Sequence, residues 1–182
     1  VEYTVAYILH HRQHLAPYAA NQAKALWERY PIGEAADVHI GILGLGSIGV
    51  RIAETLVGFE FKVSGWARGP HQIDGVDCHH GPDALAPLLA ELDYVVCVLP
   101  GTTALHHYFN AERFAAMKDG AIFINVGRGP VVDPDALIEA LDGGPLGGAV
   151  LDVFETEPLA ADSPLWRHPK ILITPHAAGG AA

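Results

Sequence analysis

Short apolar runs alternate with segments of helical character along the chain from Val38 onward. This alternation is typical of strands that are connected by helices. We therefore predict an α/β fold, a doubly wound parallel sheet with helices on both of its faces. The predicted strands are VHIGIL (38–43), KVSGW (62–66), VDCH (76–79), YVVCVL (94–99), AIFINV (121–126), GAVLDV (148–153) and ILIT (171–174).

Residues 1–30 carry a helical pattern in place of the short runs. One face of the first helix is apolar and holds Val5, Ile8 and Leu9. Pro17 fits only as the first residue of a second helix, because a proline further inside would remove a backbone hydrogen bond. We expect that helix to run to about Tyr30. Two linking helices would thus precede a core that spans residues 38–176.

A third helix is predicted between the first two strands, from Ser47 to Val57. Its apolar stripe recurs every four residues and holds Ile48, Ile52 and Leu56. Gly58 follows at the position that a C-terminal cap occupies, so the helix is expected to end there.

Composition and charge narrow the possible classes of protein. The chain has 182 residues, of which 50% are hydrophobic, and a formal net charge of −10, which predicts one soluble globular domain. Its 11 Lys and Arg residues are spread out, so no nucleic-acid surface is expected. No apolar stretch reaches the ~20 residues that cross a bilayer, so no membrane association is expected. We expect Cys78 and Cys97 to be reduced thiols, which indicates a cytoplasmic protein.

A glycine-rich turn joins the first predicted strand to the third helix. The stretch GILGLGSIG contains G-x-G-x-x-G as Gly44, Gly46 and Gly49. In this setting the glycines allow a tight turn, a close approach to a pyrophosphate and close helix–strand packing, while the helix N-terminus offers free N–H groups. The pattern predicts a Rossmann-type dinucleotide site, in which Ser47 and Ile48 at the same turn also contact the dinucleotide.

The end of the second predicted strand carries no acidic residue. NAD-binding units place Asp or Glu there to accept hydrogen bonds from the adenosine ribose, yet nothing between residues 61 and 73 is acidic. Arg68 instead offers a planar guanidinium that suits a phosphate, and Trp66 or Ala67 leaves room for it. We expect a preference for NADP, with Arg68 on the 2′-phosphate and His71 as a second candidate. The alternative is a solvated surface arginine, which leaves the choice between NADP and NAD open.

Three further stretches each begin at the carboxyl end of a predicted strand, where open α/β sheets bind ligands. They are INVGRGPVVD (124–133), LDVFETEPL (151–159) and ITPHAAG (173–179). In this order after the glycine turn, they resemble the cofactor domain of the D-isomer-specific 2-hydroxyacid dehydrogenases, and the resemblance covers essentially the whole chain. The glyoxylate/hydroxypyruvate reductase branch is the most similar, through EY (2–3), NQAKALW (21–27), WAR (66–68) and SPLW (163–166).

The resemblance implies a catalytic trio of Arg128, Glu157 and His176. Arg128 would bind the substrate's carboxylate and α-oxygen, His176 would be the acid/base, and Glu157 would orient and charge that histidine. These residue types suit the reaction, since a 2-oxo acid offers a carboxylate to a guanidinium and hydride arrival at its ketone requires a proton donor. Glu155 is the alternative to Glu157, which we prefer because D-V-F-x-x-E-P is the family spacing.

The resemblance also implies contacts with the cofactor beyond the glycine turn. The turn L-P-G-T-T after the fourth strand would lie along the cofactor, although an ordinary strand-to-helix connection is the alternative. Asp152 would lie near the nicotinamide, or would instead cap a helix or fix a loop. Together with Trp66 and Arg68 at the second strand, the expected contacts beyond the glycine turn are Leu99, Pro100, Val126, Gly127 and Asp152.

Enzymes of that family have a second domain that completes the substrate cleft, and no counterpart of it is found in these 182 residues. We therefore expect a fragment, residues 1–182, that is one dinucleotide-binding domain without the substrate domain. Such a fragment is expected to bind NADP(H) but to turn over 2-oxo acids poorly, because catalysis depends on holding both reactants in place. By family analogy, the full-length enzyme would be a homodimer that reduces a small 2-oxo acid such as glyoxylate or hydroxypyruvate.

Eleven histidines raise the question of a metal site. His10 and His14 have the spacing of two ligands on one helix face, and adjacent pairs follow at positions 79–80 and 106–107. No Cys or carboxylate completes a tetrahedral set at a recognisable spacing, so we expect no metal site.

Two rival functions share the predicted fold. Formate dehydrogenases of the same superfamily carry Gln where Glu157 stands, which disfavours that activity. Corepressors that sense nucleotides keep the trio of Arg128, Glu157 and His176. A nucleotide-sensing binding module therefore stays an alternative, and a turnover assay separates it from a reductase.

Overall fold

A seven-stranded parallel sheet forms the centre of the computed structural model, which describes residues 1–179. Its strand order is β3-β2-β1-β4-β5-β6-β7, and each neighbouring pair is parallel. The strands are β1 His39–Leu43, β2 Lys62–Ala67, β3 Val76–His80, β4 Tyr94–Cys97, β5 Ile122–Asn125, β6 Gly148–Leu151 and β7 Ile171–Ile173. Every predicted strand is present, and the predicted Rossmann-type fold is confirmed.

Helices connect the strands and precede the sheet. They are α1 Glu2–Arg12, α2 Leu15–Ala23, α3 Ser47–Gly58, α4 Leu85–Leu89, α5 Ala111–Ala115 and α6 Pro134–Asp142. The chain runs from β1 through β3 toward one edge of the sheet and then returns to place β4 on the other side of β1. The connections that leave β1 and β4 therefore diverge, which opens a crevice at their carboxyl ends where sheets of this kind bind ligands.

Two hydrophobic layers cover the two faces of the sheet. Strands β1, β4, β5 and β6 are buried at every position, so each reads as a continuous apolar run rather than an alternating one. One layer is rich in aromatic rings and includes Phe109, Phe114 and Phe123. The other layer is aliphatic and includes Ile8, Ile52 and Leu56. Helices α1 and α3 therefore pack on this second face.

The second helix is shorter than the sequence predicts, since α2 ends at Ala23 rather than near Tyr30. Pro17 is its third residue rather than its first, which is still inside the turn whose N–H groups need no helical partner. The chain beyond Ala23 folds back through polar contacts. The side-chain amide of Asn21 donates to the Tyr30 hydroxyl at 3.1 Å, and the Tyr30 N–H donates to the Tyr18 hydroxyl at 3.0 Å. These tertiary contacts replace the expected helical turns.

The apolar stripe of α3 also differs from the prediction at its first member. The buried residues are Gly49, Ile52, Ala53 and Leu56, a spacing that places them on one helix face. Ile48 is instead 57% exposed, because the first turn of α3 projects beyond the carboxyl end of β1. Gly58 is the last helical residue rather than the cap beyond it, and Glu60 takes the left-handed conformation with φ 65°.

The sequence predicts no membrane-spanning segment and two reduced cysteines. Among residues 1–179, no helix is both long and apolar enough to span a bilayer. Cys78 and Cys97 form no disulfide, and burial raises the pKa of the Cys97 thiol to about 12. The Cys97 thiol is therefore protonated and unreactive at neutral pH.

Two imidazoles that bond to hydroxyl groups in the folded chain make the fold sensitive to acid. His39 Nε2 lies 2.8 Å from Ser64 Oγ, and His11 Nδ1 lies 2.9 Å from the Tyr94 hydroxyl. Burial lowers the pKa of both histidines, whereas the unfolded chain takes up protons at a pKa of about 6.5. We therefore expect the free energy of unfolding to be retained above about pH 6.5 and to decrease as the pH falls below it.

Urea unfolding followed by circular dichroism at about pH 7.5 and about pH 5.5 measures this dependence. His39→Gln is expected to reduce the difference between the two free energies, because glutamine does not titrate. His71→Gln is the matched control, since His71 is exposed, and it should leave the difference unchanged. Equal free energies for the wild-type chain at both pH values would contradict the expectation.

Candidate functional site

An open groove lies at the carboxyl ends of β1, β2, β4 and β5. Nearly all of the cofactor contacts predicted from the sequence line it; the exceptions are Ser47, Gly49 and Asp152. Its lining residues are Gly44, Leu45, Gly46, Ile48, Trp66, Ala67, Arg68, Gly69, His71, Val98, Leu99, Pro100, Leu105, Val126, Gly127 and Arg128. The groove therefore gathers residues from four separate connections, which only the order of the strands brings together.

The three glycines of the turn after β1 have different surroundings. Gly44 has φ 108°, and a Cβ there would lie 2.8 Å from the Val98 carbonyl oxygen. A Cβ on Gly49 would lie 1.9 Å from the Gly44 carbonyl oxygen, so this glycine lets α3 pack closely on β1 and faces the protein interior. A Cβ on Gly46 would meet no atom within 4 Å, so its backbone faces open space. The turn thus leaves a path for a ligand to approach the main chain.

The N-terminus of α3 points into this space without a side-chain cap. Gly46 is the N-cap residue and has no side chain to accept from the first N–H groups of the helix. These groups carry partial positive charge, which favours an anionic ligand such as a phosphate.

The end of β2 places one aromatic and one cationic residue beside the glycine turn. Trp66 is buried, and its indole N–H donates to the Gly81 carbonyl at 2.8 Å, so it builds the floor of the groove. Arg68 is exposed at the rim. His71 lies nearby, with Nδ1 3.0 Å from the Gly69 carbonyl oxygen. Among the described residues no Asp or Glu lines the groove, which leaves it favourable to negative charge.

The side chains of His176 and Glu157 pair at the same carboxyl-terminal edge of the sheet, beyond β7 and β6. His176 Nδ1 lies 2.7 Å from Glu157 Oε2, and Glu157 Oε1 accepts from the Phe154 N–H at 2.9 Å. The hydrogen bond to His176 is the main cause that lowers the pKa of Glu157, with the Phe154 N–H and the charge of Arg128 acting in the same direction. The ionised carboxylate accepts from Nδ1, which leaves Nε2 of His176 as the nitrogen that can exchange a proton.

Glu155 has different partners from Glu157. Its Oε1 lies 2.9 Å from His106 Nε2, and its Oε2 lies 3.5 Å from His107 Nε2. Of the two candidate carboxylates, the structure places Glu157 on His176.

A buried carboxylate anchors the segment that carries His176. Asp152 is fully buried and accepts from the Thr174 hydroxyl at 2.5 Å, the Ala177 N–H at 2.7 Å and the Ala178 N–H at 2.8 Å. The Tyr3 hydroxyl from α1 lies 2.5 Å from the Thr174 hydroxyl. Asp152 therefore makes the contacts of a loop-fixing residue, and its contact with a cofactor stays a prediction.

The backbone of His176 is in the left-handed region, with φ 54°. Its N–H donates to the carbonyl oxygens of Asp152 at 2.9 Å and Thr174 at 3.1 Å. A non-glycine residue holds this conformation only where its surroundings over-determine it, and such residues concentrate at functional sites. The contacts of Asp152 supply that constraint.

Asn125, at the end of β5, shapes the loop that carries Arg128. Its fully buried side chain accepts from the Gly127 N–H at 3.1 Å and donates to the Arg128 carbonyl at 3.2 Å. Gly129 follows, and a Cβ there would lie 1.8 Å from the Phe154 carbonyl carbon. The loop after β5 therefore packs directly on the loop after β6. This contact brings the exposed Arg128 side chain toward the edge that holds Glu157.

Sequence reasoning missed Tyr3, Thr174 and Asn125 as parts of the site. Asn125 and Thr174 did carry a signal, since each is a polar residue at the carboxyl end of an apolar run. Tyr3 belongs to the EY pair (2–3) of the resemblance, but its contact could not be read from the sequence because its partner Thr174 is 171 positions away in the chain.

Comparison with known proteins identifies the family of the chain. Residues 5–178 match the family model of the D-isomer specific 2-hydroxyacid dehydrogenase NAD-binding domain. The chain is 37% identical over 177 residues to glyoxylate/hydroxypyruvate reductase A of Salmonella choleraesuis and 38% identical to that of Serratia proteamaculans. These alignments cover 97% of the chain, which spans 57% and 56% of the length of those two relatives.

Solved structures are similar over the same span. A D-isomer specific 2-hydroxyacid dehydrogenase from Xanthobacter autotrophicus Py2, in complex with NADPH and MES, superposes with a TM-score of 0.93 at 42% identity. That match covers 98% of the chain and 74% of the other chain. An NADPH-dependent glyoxylate/hydroxypyruvate reductase from Sinorhizobium meliloti, in complex with NADP and sulfate, gives 0.93 at 38% identity, covering 98% and 58%. The chain belongs to the D-isomer specific 2-hydroxyacid dehydrogenase family and corresponds to its NAD-binding domain.

Proposed function

We propose that this chain is the cofactor domain of an NADP-dependent reductase that acts on small 2-oxo acids such as glyoxylate or hydroxypyruvate. The observation that carries the proposal is the His176–Glu157 pair, joined at 2.7 Å, on the same sheet edge as Arg128 and the glycine groove. This set provides a proton donor, a carboxylate-binding cation and a dinucleotide site. The names of the relatives point to the same reaction class.

The residues of the groove fit a dinucleotide. The backbone at Gly46 is open, the N-terminus of α3 has no side-chain cap, and no acidic side chain among the described residues lines the groove. A pyrophosphate at this turn accepts from the helix N–H groups. Arg68 then holds a 2′-phosphate, in the position where NAD-binding relatives of the fold carry an acid. A solvated Arg68 with no role in selectivity is the alternative.

The mechanism assigns one task to each member of the trio. The nicotinamide of the bound cofactor supplies the hydride. Arg128 holds the carboxylate of the 2-oxo acid through charge-assisted hydrogen bonds and so orients the ketone. His176 holds a proton on Nε2 and releases it to the ketone oxygen as negative charge develops there. Glu157 accepts from Nδ1, which keeps the imidazole oriented and leaves Nε2 as the nitrogen that carries the transferred proton.

The remaining parts of the proposal concern the full-length protein. Residues 1–30 link the cofactor core, residues 38–176, to a substrate domain that lies outside these 182 residues. The enzyme acts as a homodimer, in line with the exposed apolar side chains Leu15, Leu26, Trp27 and Ile32 of the N-terminal region. It works in the cytoplasm, where free thiols such as Cys78 and Cys97 are stable.

Binding and turnover test the proposal separately. The 182-residue chain is expected to bind NADPH in a fluorescence titration, and the full-length protein is expected to reduce glyoxylate or hydroxypyruvate with NADPH. The chain alone should be at least ~100-fold less active, because it lacks the groups that hold the substrate in place. If the full-length protein binds NADPH but does not turn over a panel of 2-oxo acids, a nucleotide-sensing module is favoured. Robust glyoxylate reduction by the 182-residue chain alone would contradict the proposal that turnover requires a second domain.

A further inference from the structure

Three side chains outside the proposed catalytic trio converge on one point between two loops. His106 and His107 follow β4, and Glu155 follows β6. His106 Nε2 lies 2.9 Å from Glu155 Oε1, and His107 Nε2 lies 3.5 Å from Glu155 Oε2. Each residue offers one nitrogen or oxygen, and these three atoms lie within 4.8 Å of one another.

His107 carries an unsatisfied nitrogen that points to a missing partner. Its Nε2 is buried and makes no hydrogen bond within the described part of the chain. The other ring nitrogen, Nδ1, lies 3.8 Å from Asp133 Oδ2, and this distance is too long for a hydrogen bond. Buried polar atoms in native proteins are nearly always paired, and an orphan often marks a water or an ion.

The backbone holds His107 in place despite strain. Its φ is 49°, in the left-handed region that non-glycine residues seldom adopt. Its N–H donates to the Pro130 carbonyl at 2.8 Å, and Phe109 forms a bridge with Val132 just beyond it. The imidazole is thus positioned by main-chain contacts and not by a partner of its own.

The donor set suits a transition-metal ion. Two imidazole nitrogens and one carboxylate oxygen are ligands that Zn²⁺ binds at ~2.0–2.2 Å, which puts the ligand atoms of a tetrahedral site ~3.3 Å apart. His106 Nε2 lies 2.9 Å from Glu155 Oε1 and His107 Nε2 lies 3.5 Å from Glu155 Oε2, so each imidazole nitrogen is near that separation from one of the two carboxylate oxygens. The imidazole rings are stacked with centroids 4.0 Å apart, and the His106 side chain is 51% exposed, so it can turn to direct its lone pair onto an ion.

We propose that His106, His107 and Glu155 bind one divalent transition-metal ion of the zinc class. The ion joins the loop after β4 to the loop after β6 and leaves a fourth position for water. Mg²⁺ and Ca²⁺ fit poorly, because they prefer sites made of oxygen ligands. The sequence alone predicts no metal site, since Glu155 is 49 positions from His106 and completes the set only in the folded chain. The inference does not depend on the proposed reductase activity.

Isothermal titration of the chelator-treated 182-residue chain with ZnCl₂ tests this site. We expect one tight Zn²⁺ per chain and a rise in Tm on addition of the ion, because an ion that binds only the folded state stabilises it. His107→Asn and Glu155→Gln should each weaken that site by at least ~10-fold, the loss seen when metal sites lose even an indirect support.

The control is His79→Asn with His80→Asn, which removes another adjacent histidine pair. His79 lies 3.0 Å from Asp77, so the pair also has a carboxylate neighbour. This variant should keep the tight site. NADPH binding and the circular dichroism spectrum show that each variant is folded. Unchanged Zn²⁺ affinity in His107→Asn and Glu155→Gln, or loss of the site in the control, overturns the proposal.

Discussion

Replacing His176 by asparagine is expected to lower kcat/KM for 2-oxo acid reduction by about 10²–10⁴-fold in the full-length enzyme. Asparagine keeps a polar group near the position of Nδ1, but it has no atom at the position of Nε2 and cannot deliver a proton at neutral pH. The alkoxide that forms at the ketone carbon would then be protonated only by water. Nε2 of His176 is the nitrogen expected to donate the proton, because Nδ1 lies 2.7 Å from Glu157 Oε2.

NADPH affinity distinguishes loss of proton transfer from loss of structure. It should be close to wild type in His176→Asn, since His176 does not line the groove. Glu157→Gln should also lower kcat, because an uncharged amide is a weaker acceptor for His176 Nδ1 than a carboxylate and orients the imidazole less firmly. His79→Asn, at the outer strand β3, should leave both quantities unchanged. Wild-type kcat/KM in His176→Asn with intact NADPH binding would contradict the assignment.

Replacing Arg68 by alanine is expected to reduce the preference for NADPH over NADH by ~10–100-fold. A charge-assisted hydrogen bond contributes ~1.5–3 kcal/mol. Arg68 is exposed, so solvent screening keeps the total contribution of its guanidinium near that of one such bond. The expected change lies in the KM for NADPH, while the KM for NADH should stay the same because NADH has no 2′-phosphate. Arg68→Lys should retain part of the preference, since it keeps the charge but loses the planar fork.

Arg51→Ala is the matched control for this experiment. Arg51 is an exposed arginine on α3 and does not line the groove. It removes the same charge from the protein, so an effect of net charge alone would appear in both variants. A wild-type enzyme that prefers NADH, or an unchanged ratio of kcat/KM in Arg68→Ala, would leave Arg68 as a solvated surface residue.

Most of the fold follows from local patterns in the sequence. Strands β1, β4, β5 and β6 are short apolar runs because both faces of the sheet are covered there. The glycine spacing after β1 marks the turn into α3. The errors lie where tertiary contacts compete with local preference. Residues after Ala23 leave the helix because Asn21 and Tyr18 bind Tyr30. Ile48 belongs to the helical stripe by spacing, yet it is exposed where the first turn of α3 borders the groove.

The sequence predicts the residues of the candidate catalytic trio but leaves its carboxylate undecided. The resemblance to the family assigns the roles of Arg128, Glu157 and His176, and each residue lies a few positions beyond the end of a predicted strand. Spacing alone left Glu155 as an alternative to Glu157, and the structure separates them by their partners, His106 for one and His176 for the other.

The strands, the glycine turn and the residue types at the ends of the strands follow from the sequence, because they depend on residues a few positions apart. Which distant side chains meet depends on how the folded sheet arranges its strands. Tyr3 reaches Thr174 across 171 positions, and Glu155 reaches His106 across 49. The physical reason is the parallel sheet, which gathers the carboxyl ends of its strands at one edge, where polar side chains far apart in the chain come within hydrogen-bonding distance.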